Sequence, residues 1–241
     1  MRKFAVFDID GTLVRWQLYH AVADRLVHLG YIKPHVFEDV HKARMTWKRR
    51  EHGASFRNYE LQLVGLYTNI LLSLAVTQFK EAADLVFDEY KDQVYTYTRD
   101  LIDNLKAEGY LMFAISGSQE EIVKKLAIHY GFDDFVGRVD EHKNGRFTGK
   151  STTPIFNKDA ALRKLVKRHG AVVDGSYGVG DSYSDIKMLQ IVDNPIAFNP
   201  EKELFEHAKV KGWMVVIERK NVIYELENHN GKYNLAKANT R

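Results

Sequence analysis

The sequence predicts an α/β fold, a mostly parallel sheet flanked by helices with a helical insert near its start. Three observations predict it. The run Phe4-Ala5-Val6-Phe7 is continuously apolar, as in a strand covered on both faces. From about residue 100 onward, short apolar runs alternate with amphipathic stretches closed by glycines, the pattern of repeated βα units. Between these regions, residues 16–98 show helical spacing and few strand signals.

The first strand, Lys3 to Phe7, ends in the turn residues Asp10-Gly11-Thr12. The insert carries apolar spacings such as Leu61, Val64, Leu66 and Ile70, which predict helices with a core of their own. Leu101, Ile102 and Leu105 share one helical face, and Gly109 stops that helix. Leu111 to Ile115 reads as a strand, Ser116-Gly117-Ser118 as a turn, and Ile122, Val123 and Leu126 as a helix closed by Gly131. Asn144-Gly145 marks a hairpin between Phe135–Val139 and Arg146–Thr148. Leu162, Leu165 and Val166 form a helix ending at Gly170, and Tyr177 to Val179 a short strand before Gly180-Asp181. Asp185 to Ile191 reads as a helix and Ile196 to Phe198 as a strand. Asn199-Pro200 is the expected start of a further helix, which ends at Gly212. Trp213 to Ile217 is the last clear strand; the polar residues Asn228 to Arg241 predict a mobile tail.

Composition narrows the chemistry. The 241 residues include no cysteine, which removes disulfides, thiolate metal ligands and a cysteine nucleophile. The formal net charge of +3 suits an anionic substrate without implying nucleic acid. The apolar run Ile70 to Val76 falls far short of the ~20 residues of a membrane span. Lys3 to Phe7 leads straight into Asp8, so no leader peptide is expected, and a cytoplasmic location with no membrane partner follows as the expectation.

Three motifs fall at the carboxyl ends of expected strands, where ligands gather in such sheets. Asp8-Ile9-Asp10-Gly11-Thr12 places two acids on the same side of an extended chain. Such a pair can bind a divalent cation, attack phosphorus or shuttle a proton; alone it is more often a turn or capping cluster, but directly after a buried strand and before Gly-Thr it points to function. Ser116-Gly117 offers a hydroxyl and free backbone N–H groups to a phosphate, although a serine here can also be a plain helix cap. Gly178-Val179-Gly180-Asp181-Ser182-Tyr183-Ser184-Asp185 adds two acids four residues apart. Four acids at one edge repel unless a cation and lysines balance them.

Taken together, these motifs resemble the haloacid dehalogenase superfamily of phosphohydrolases, and within it subfamily IB, the phosphoserine-phosphatase-like branch. The resemblance implies a Rossmann-like catalytic core at residues 1–14 and 99–220, an inserted helical C1-type cap at 15–98, and a C-terminal tail at 221–241. It implies that Asp8 attacks phosphorus to form an aspartyl-phosphate. Asp10 protonates the leaving alcohol and then activates water. Ser116 and Gly117 bind the phosphoryl group and Lys158 neutralises it, with Lys150 as the rival lysine. The implied cofactor is Mg²⁺, held by Asp8, the Asp10 backbone carbonyl and Asp181 and supported by Asp185. Lys124 and Lys125 fall mid-helix, where a solvated face is expected.

The branch's best-known enzyme places an acid shortly after the first motif to meet the substrate amine. The matching stretch here, Val14-Arg15-Trp16-Gln17, has none. Its cap arginine has no clear match either, since Arg57 is out of register and Leu61 takes the place. Arg15, Trp16, Gln17 and Arg57 are therefore the candidate specificity residues, for a small phosphorylated substrate other than phosphoserine. The run His41 to Arg50 clusters cations around Trp47; such a run can touch nucleic acid but is more often a solvated helix face, and no nucleic-acid partner is expected. Transfer of the phosphoryl group to an acceptor alcohol, as in a mutase, and a polynucleotide end-phosphatase stay open as alternatives. The expected assembly is a monomer or homodimer.

Overall fold

The computed structural model describes residues 2–240. β1 (Lys3–Phe7) leads to α1 (Leu18–His28), a 3-10 turn (Pro34–Phe37), α2 (Glu38–Lys48), α3 (Ser55–Leu71), α4 (Val76–Tyr90) and α5 (Thr96–Ala107). Next come β2 (Leu111–Gln119), α6 (Glu120–Tyr130), β3 (Asp134–Lys143), β4 (Arg146–Thr152) and α7 (Lys158–His169). The chain continues through β5 (Val172–Gly180), a 3-10 turn (Tyr183–Asp185), α8 (Ile186–Leu189), β6 (Asn194–Phe198) and α9 (Lys202–Lys211). It ends in β7 (Met214–Arg219), β8 (Val222–His229) and β9 (Lys232–Thr240).

These elements form two compact units. One comprises residues 1–17, 89–138 and 153–241; the other comprises 18–88 and 139–152. The helical pattern places the division at 14/15 and 98/99, whereas contacts place it at 17/18 and 88/89. The reason is local: Tyr95 N donates to Leu13 O at 2.9 Å and Arg15 N to Gln93 O at 2.9 Å, which keeps both short stretches in the first unit.

In the first unit the strand order is β3-β2-β1-β5-β6-β7-β8-β9. Pairing is parallel from β3 to β7 and antiparallel from β7 to β9. The chain winds outward from β1 in one direction and from β5 in the other. The crevice past the carboxyl ends of β1 and β5 is thus the switch point where such sheets bind ligands. Phe4 and Val6 pack into a cluster with Phe113, Leu162 and Leu165 of α7, Met188 and Leu189 of α8, and Leu204 of α9. Ala5 and Phe7 alternate to the other face and are also fully buried, which explains why the strand is apolar throughout.

The second unit holds α1 to α4 up to Asp88 and the far half of the β3–β4 hairpin. Asn144 and Gly145 both have positive φ, 51° and 75°, as a two-residue hairpin turn requires. Val76 N donates to Gly145 O at 3.0 Å, and Phe147 packs edge-on against Phe79 at 5.6 Å. Among the described residues no helix is long and apolar enough to cross a membrane.

Four expectations need correction. Residues 228–240 are not a loose tail: β8 and β9 pair in antiparallel register around Asn230-Gly231. Tyr233 rests on Phe205 at 5.5 Å and donates to Trp213 O at 3.0 Å, anchorage that polar composition conceals. On α3, Leu61 and Val64 are exposed, while Tyr59, Leu63, Tyr67 and Ile70 are buried; the two tyrosines, not the leucine at 61, define the inner face. Ser116-Gly117-Ser118 is no turn, since β2 runs on to Gln119, which pairs with Arg138. α9 starts at Lys202 rather than after Asn199, whose φ of 42° takes it out of a cap conformation.

Candidate active site

β1 delivers Asp8 to the switch point, where its backbone N–H donates to Val179 O at 3.0 Å. β5 delivers Asp181 beside it. Lys158 opens α7, an end where the helix dipole disfavours a cation. Its position is compensated by two carboxylates: Nζ donates to Asp8 Oδ1 and to Asp185 Oδ1, each at 2.6 Å. All three groups are buried. Lys150, the rival lysine, is exposed on β4.

Asp185 is held from its other side as well. Its Oδ2 accepts from Asp181 N at 3.2 Å, Ser182 N at 3.0 Å and Ser182 Oγ at 3.0 Å, a reciprocal capping box at the turn. Gly180 makes room for it, because a Cβ there would lie 2.6 Å from Asp185 Cβ and Cγ. Gly11 has a φ of 79°, and a Cβ on it would lie 2.2 Å from Asp181 Oδ2 and 3.3 Å from Gln17 Nε2. Glycine is thus required at 11 by conformation and by space.

Asp10 has different company. Its Oδ2 accepts from Ser116 Oγ at 2.7 Å, and Ser118 N donates to the same hydroxyl at 2.9 Å. Two acids only two residues apart therefore meet a lysine in one case and a hydroxyl in the other.

One oxygen each of Asp8, Asp181 and Asp185 can lie within 4.8 Å of the others. Burial pushes Asp8 up to about 7; Lys158 opposes the rise, while Asp185 and Asp10 add to it. Asp181 is raised well above the usual carboxylate range by burial and then by Asp8 and Asp185. Burial disfavours the Lys158 charge, but Asp185 and Asp8 outweigh it and hold the ammonium protonated above its usual range. One lysine thus faces more carboxylate charge than it can neutralise. Hard oxygen donors with surplus negative charge fit a magnesium-type cation.

The remaining expected residues are placed as follows. Gly117 follows Ser116 in β2, and a Cβ on it would lie 3.2 Å from Ile155 Cδ1. Arg15 lies with its guanidinium 5.3 Å from the Tyr95 ring centroid. Trp16 O accepts from Gly11 N at 3.3 Å, and the Gln17 amide, like Asp181, borders the space a Gly11 Cβ would fill. Arg57 is exposed on α3 in the helical unit. The basic stretch lies on α2 and just after it, with Arg44 paired to Asp24 at 2.9 Å and Lys42 to Asp39 at 2.9 Å. Trp47 stacks on Tyr59 at 5.6 Å and contacts Phe56, so its ring is used in packing.

Sequence reasoning gave no role to Thr12, whose Oγ1 donates to Asp181 Oδ1 at 3.5 Å, or to Ser182. A hydroxyl just after Asp-x-Asp-Gly and one just after Asp181 were the available signals.

A family model described as haloacid dehalogenase-like hydrolase matches residues 5–190. A histidinol-phosphatase of Neisseria meningitidis is 25% identical over 90% of this chain and 99% of its own length. A phosphoserine phosphatase of Mycobacterium tuberculosis is 29% identical over 88% of this chain and 69% of its own. A Bordetella pertussis protein of unknown function has a similar fold, with a TM-score of 0.72 and 22% identity over 90% of this chain and 99% of its own. A phosphoserine phosphatase structure described as a phospho-aspartyl intermediate analogue gives 0.62 with 22% identity, over 91% and 94%.

Proposed function

The chain belongs to the haloacid dehalogenase-like hydrolase family, and from that premise we propose that it is a magnesium-dependent phosphatase acting on a small organic phosphate monoester through an aspartyl-phosphate on Asp8. The observation that carries this reading is the unequal treatment of the two acids after β1. Lys158 touches Asp8 at 2.6 Å, while Ser116 touches Asp10 at 2.7 Å. Paired acids in unlike environments divide into unlike roles.

Asp8 attacks phosphorus, and the bond from phosphorus to the alcohol oxygen breaks. Asp10 gives that oxygen a proton, then takes one from the water that cleaves the acyl phosphate. Lys158 offsets charge on the phosphoryl oxygens, and Ser116 with the Gly117 backbone orients them. Asp8, the Asp10 carbonyl and Asp181 would hold Mg²⁺, which supplies charge neutralisation at the transferring group. Asp185, with both oxygens already hydrogen-bonded, supports the site from behind.

The reading extends to the substrate. Residues 14–17 offer no acid for an amine, and the amide of Gln17 lies near the acidic cluster instead. Arg15 adds a cation within two residues of it. Both favour an ester other than phosphoserine.

The test is a panel of phosphate monoesters with Mg²⁺, using Asp8→Asn as control. Wild type is expected to release phosphate and the variant none. Full turnover by Asp8→Asn would sink the covalent route, and phosphoserine leading the panel by a wide margin would sink the substrate claim.

A further inference from the structure

Glu218 is the one acid buried on the last parallel strand, β7, at 6% exposure. A buried carboxylate is costly unless it is fully hydrogen-bonded. Its two oxygens are used on two backbone donors, Thr96 N at 3.1 Å and Tyr97 N at 2.8 Å. These are the first N–H groups of α5, which lacks a side-chain cap of its own. A distant strand therefore supplies the acid that a helix start favours. The Glu218 backbone is fixed in turn, its N–H donating to Asn199 Oδ1 at 2.9 Å.

The helix start it holds is the far side of the Asp10 loop. Tyr95 N donates to Leu13 O at 2.9 Å, and Val94 bridges Val14. Leu13 N and Val14 N both donate to Ile9 O at 2.9 Å, and Gly11 N donates to Val14 O at 3.0 Å. Beyond the Glu218 carboxylate itself, the links from the start of α5 to the residues flanking Asp10 are backbone hydrogen bonds, with no flexible side chain between Tyr95 and the loop.

We propose that Glu218 is a positioning residue for Asp10: by clamping the first turn of α5 it sets the 9–14 loop that carries the acid/base. This rests on the reading of Asp10 given above, and the test separates the two. Hydrogen exchange by mass spectrometry would be followed on peptides spanning residues 8–17 in wild type, Glu218→Ala and Thr96→Pro. Proline suits position 96, because Tyr95 already has φ −72° and ψ 135°, the conformation favoured before proline, and a first helical residue tolerates it. Thr96→Pro removes one of the two donors and leaves the helix, so it remains informative if Glu218→Ala fails to fold.

In the folded variants, exchange of the Gly11, Leu13 and Val14 amides should rise by about tenfold or more, as the loss of a hydrogen bond to a charged group implies. Alkyl phosphate turnover by Glu218→Ala should fall by about 100-fold with KM unchanged. Formation of the phosphoenzyme from a dinitrophenyl ester, whose leaving group needs no proton, should be nearly unaffected. Loop amides that exchange as in wild type, or equal slowing of both esters, would overturn the proposal. Were wild type to cleave neither ester, the phosphatase reading would fail, while the exchange data would still decide whether Glu218 holds the loop.

Discussion

Ser116 Oγ donates to Asp10 Oδ2 at 2.7 Å while Ser118 N donates to that same Oγ. The hydroxyl is therefore turned toward Asp10 by its own backbone two residues on. This holds the carboxylate of Asp10 against β2.

Ser116→Ala should slow alkyl phosphate hydrolysis by about 10–100-fold, because both the orientation of Asp10 and a phosphate donor are lost. An ester with a good leaving group should suffer less in its first step. Single-turnover kinetics on the two esters would show the difference; equal losses would deny Ser116 a role through Asp10.

Lys158→Met should destabilise the metal-free protein by about 3–5 kcal/mol, since Asp8 and Asp185 would be left buried without their counter-charge. Urea unfolding in EDTA measures this. A cost below about 1 kcal/mol would contradict a stabilising role for the Lys158 pairing with these acids.

Asp8 and Asp181 carry raised pKa values in the fold, so the native chain binds their protons more tightly than the unfolded chain does. Their contribution to stability is fully present below the ordinary value of 3.8 and is lost as pH rises, for Asp8 through about 7. Added Mg²⁺ should offset the loss by binding the ionised form. Thermal unfolding in Mg²⁺ and in EDTA should therefore diverge more at pH 8 than at pH 5; equal Mg²⁺ effects at both would contradict it.

Gly11→Ala should abolish turnover and weaken Mg²⁺ binding by calorimetry. The added Cβ would meet Asp181 Oδ2 at 2.2 Å on a backbone with φ 79°, so the carboxylate must move. Unchanged Mg²⁺ affinity would show that Asp181 is free to shift without leaving the cluster.

Ending the chain at Lys220 should lower Tm by more than the roughly 2–4 °C that 1 kcal/mol represents in a chain of this size. It strips the partner strand from β7 and uncovers Ile223's packing site and Phe205. An unchanged melting curve would show that β8 and β9 add nothing to the stability of the sheet.

Local rules made much of this legible in advance. The strand before Asp8 is apolar because it is covered on both faces, and Asn144-Gly145 turns because both residues tolerate positive φ. These depend on neighbours in sequence. The hairpin's membership of the helical unit depends on Phe147 meeting Phe79, which no local pattern records. The inner face of α3 departs from the sequence expectation for a similar reason: Leu61 and Tyr59 fit comparable helical spacings, and only the neighbours available to each decide which is buried.

The sequence by itself determined the fold class, the order of strands and helices through β7, and the acids and hydroxyl that fall near the ends of β1, β2 and β5. Each of these follows from residue type and short spacing, whereas Lys158 entered only through the family resemblance. Tertiary structure alone decided that Lys158 rather than Lys150 reaches Asp8, that Asp10 turns to Ser116, and that Glu218 caps a helix 121 residues before it. Such pairings depend on which strand ends converge in space, and the free energy that selects them comes from burying charges only where partners already wait.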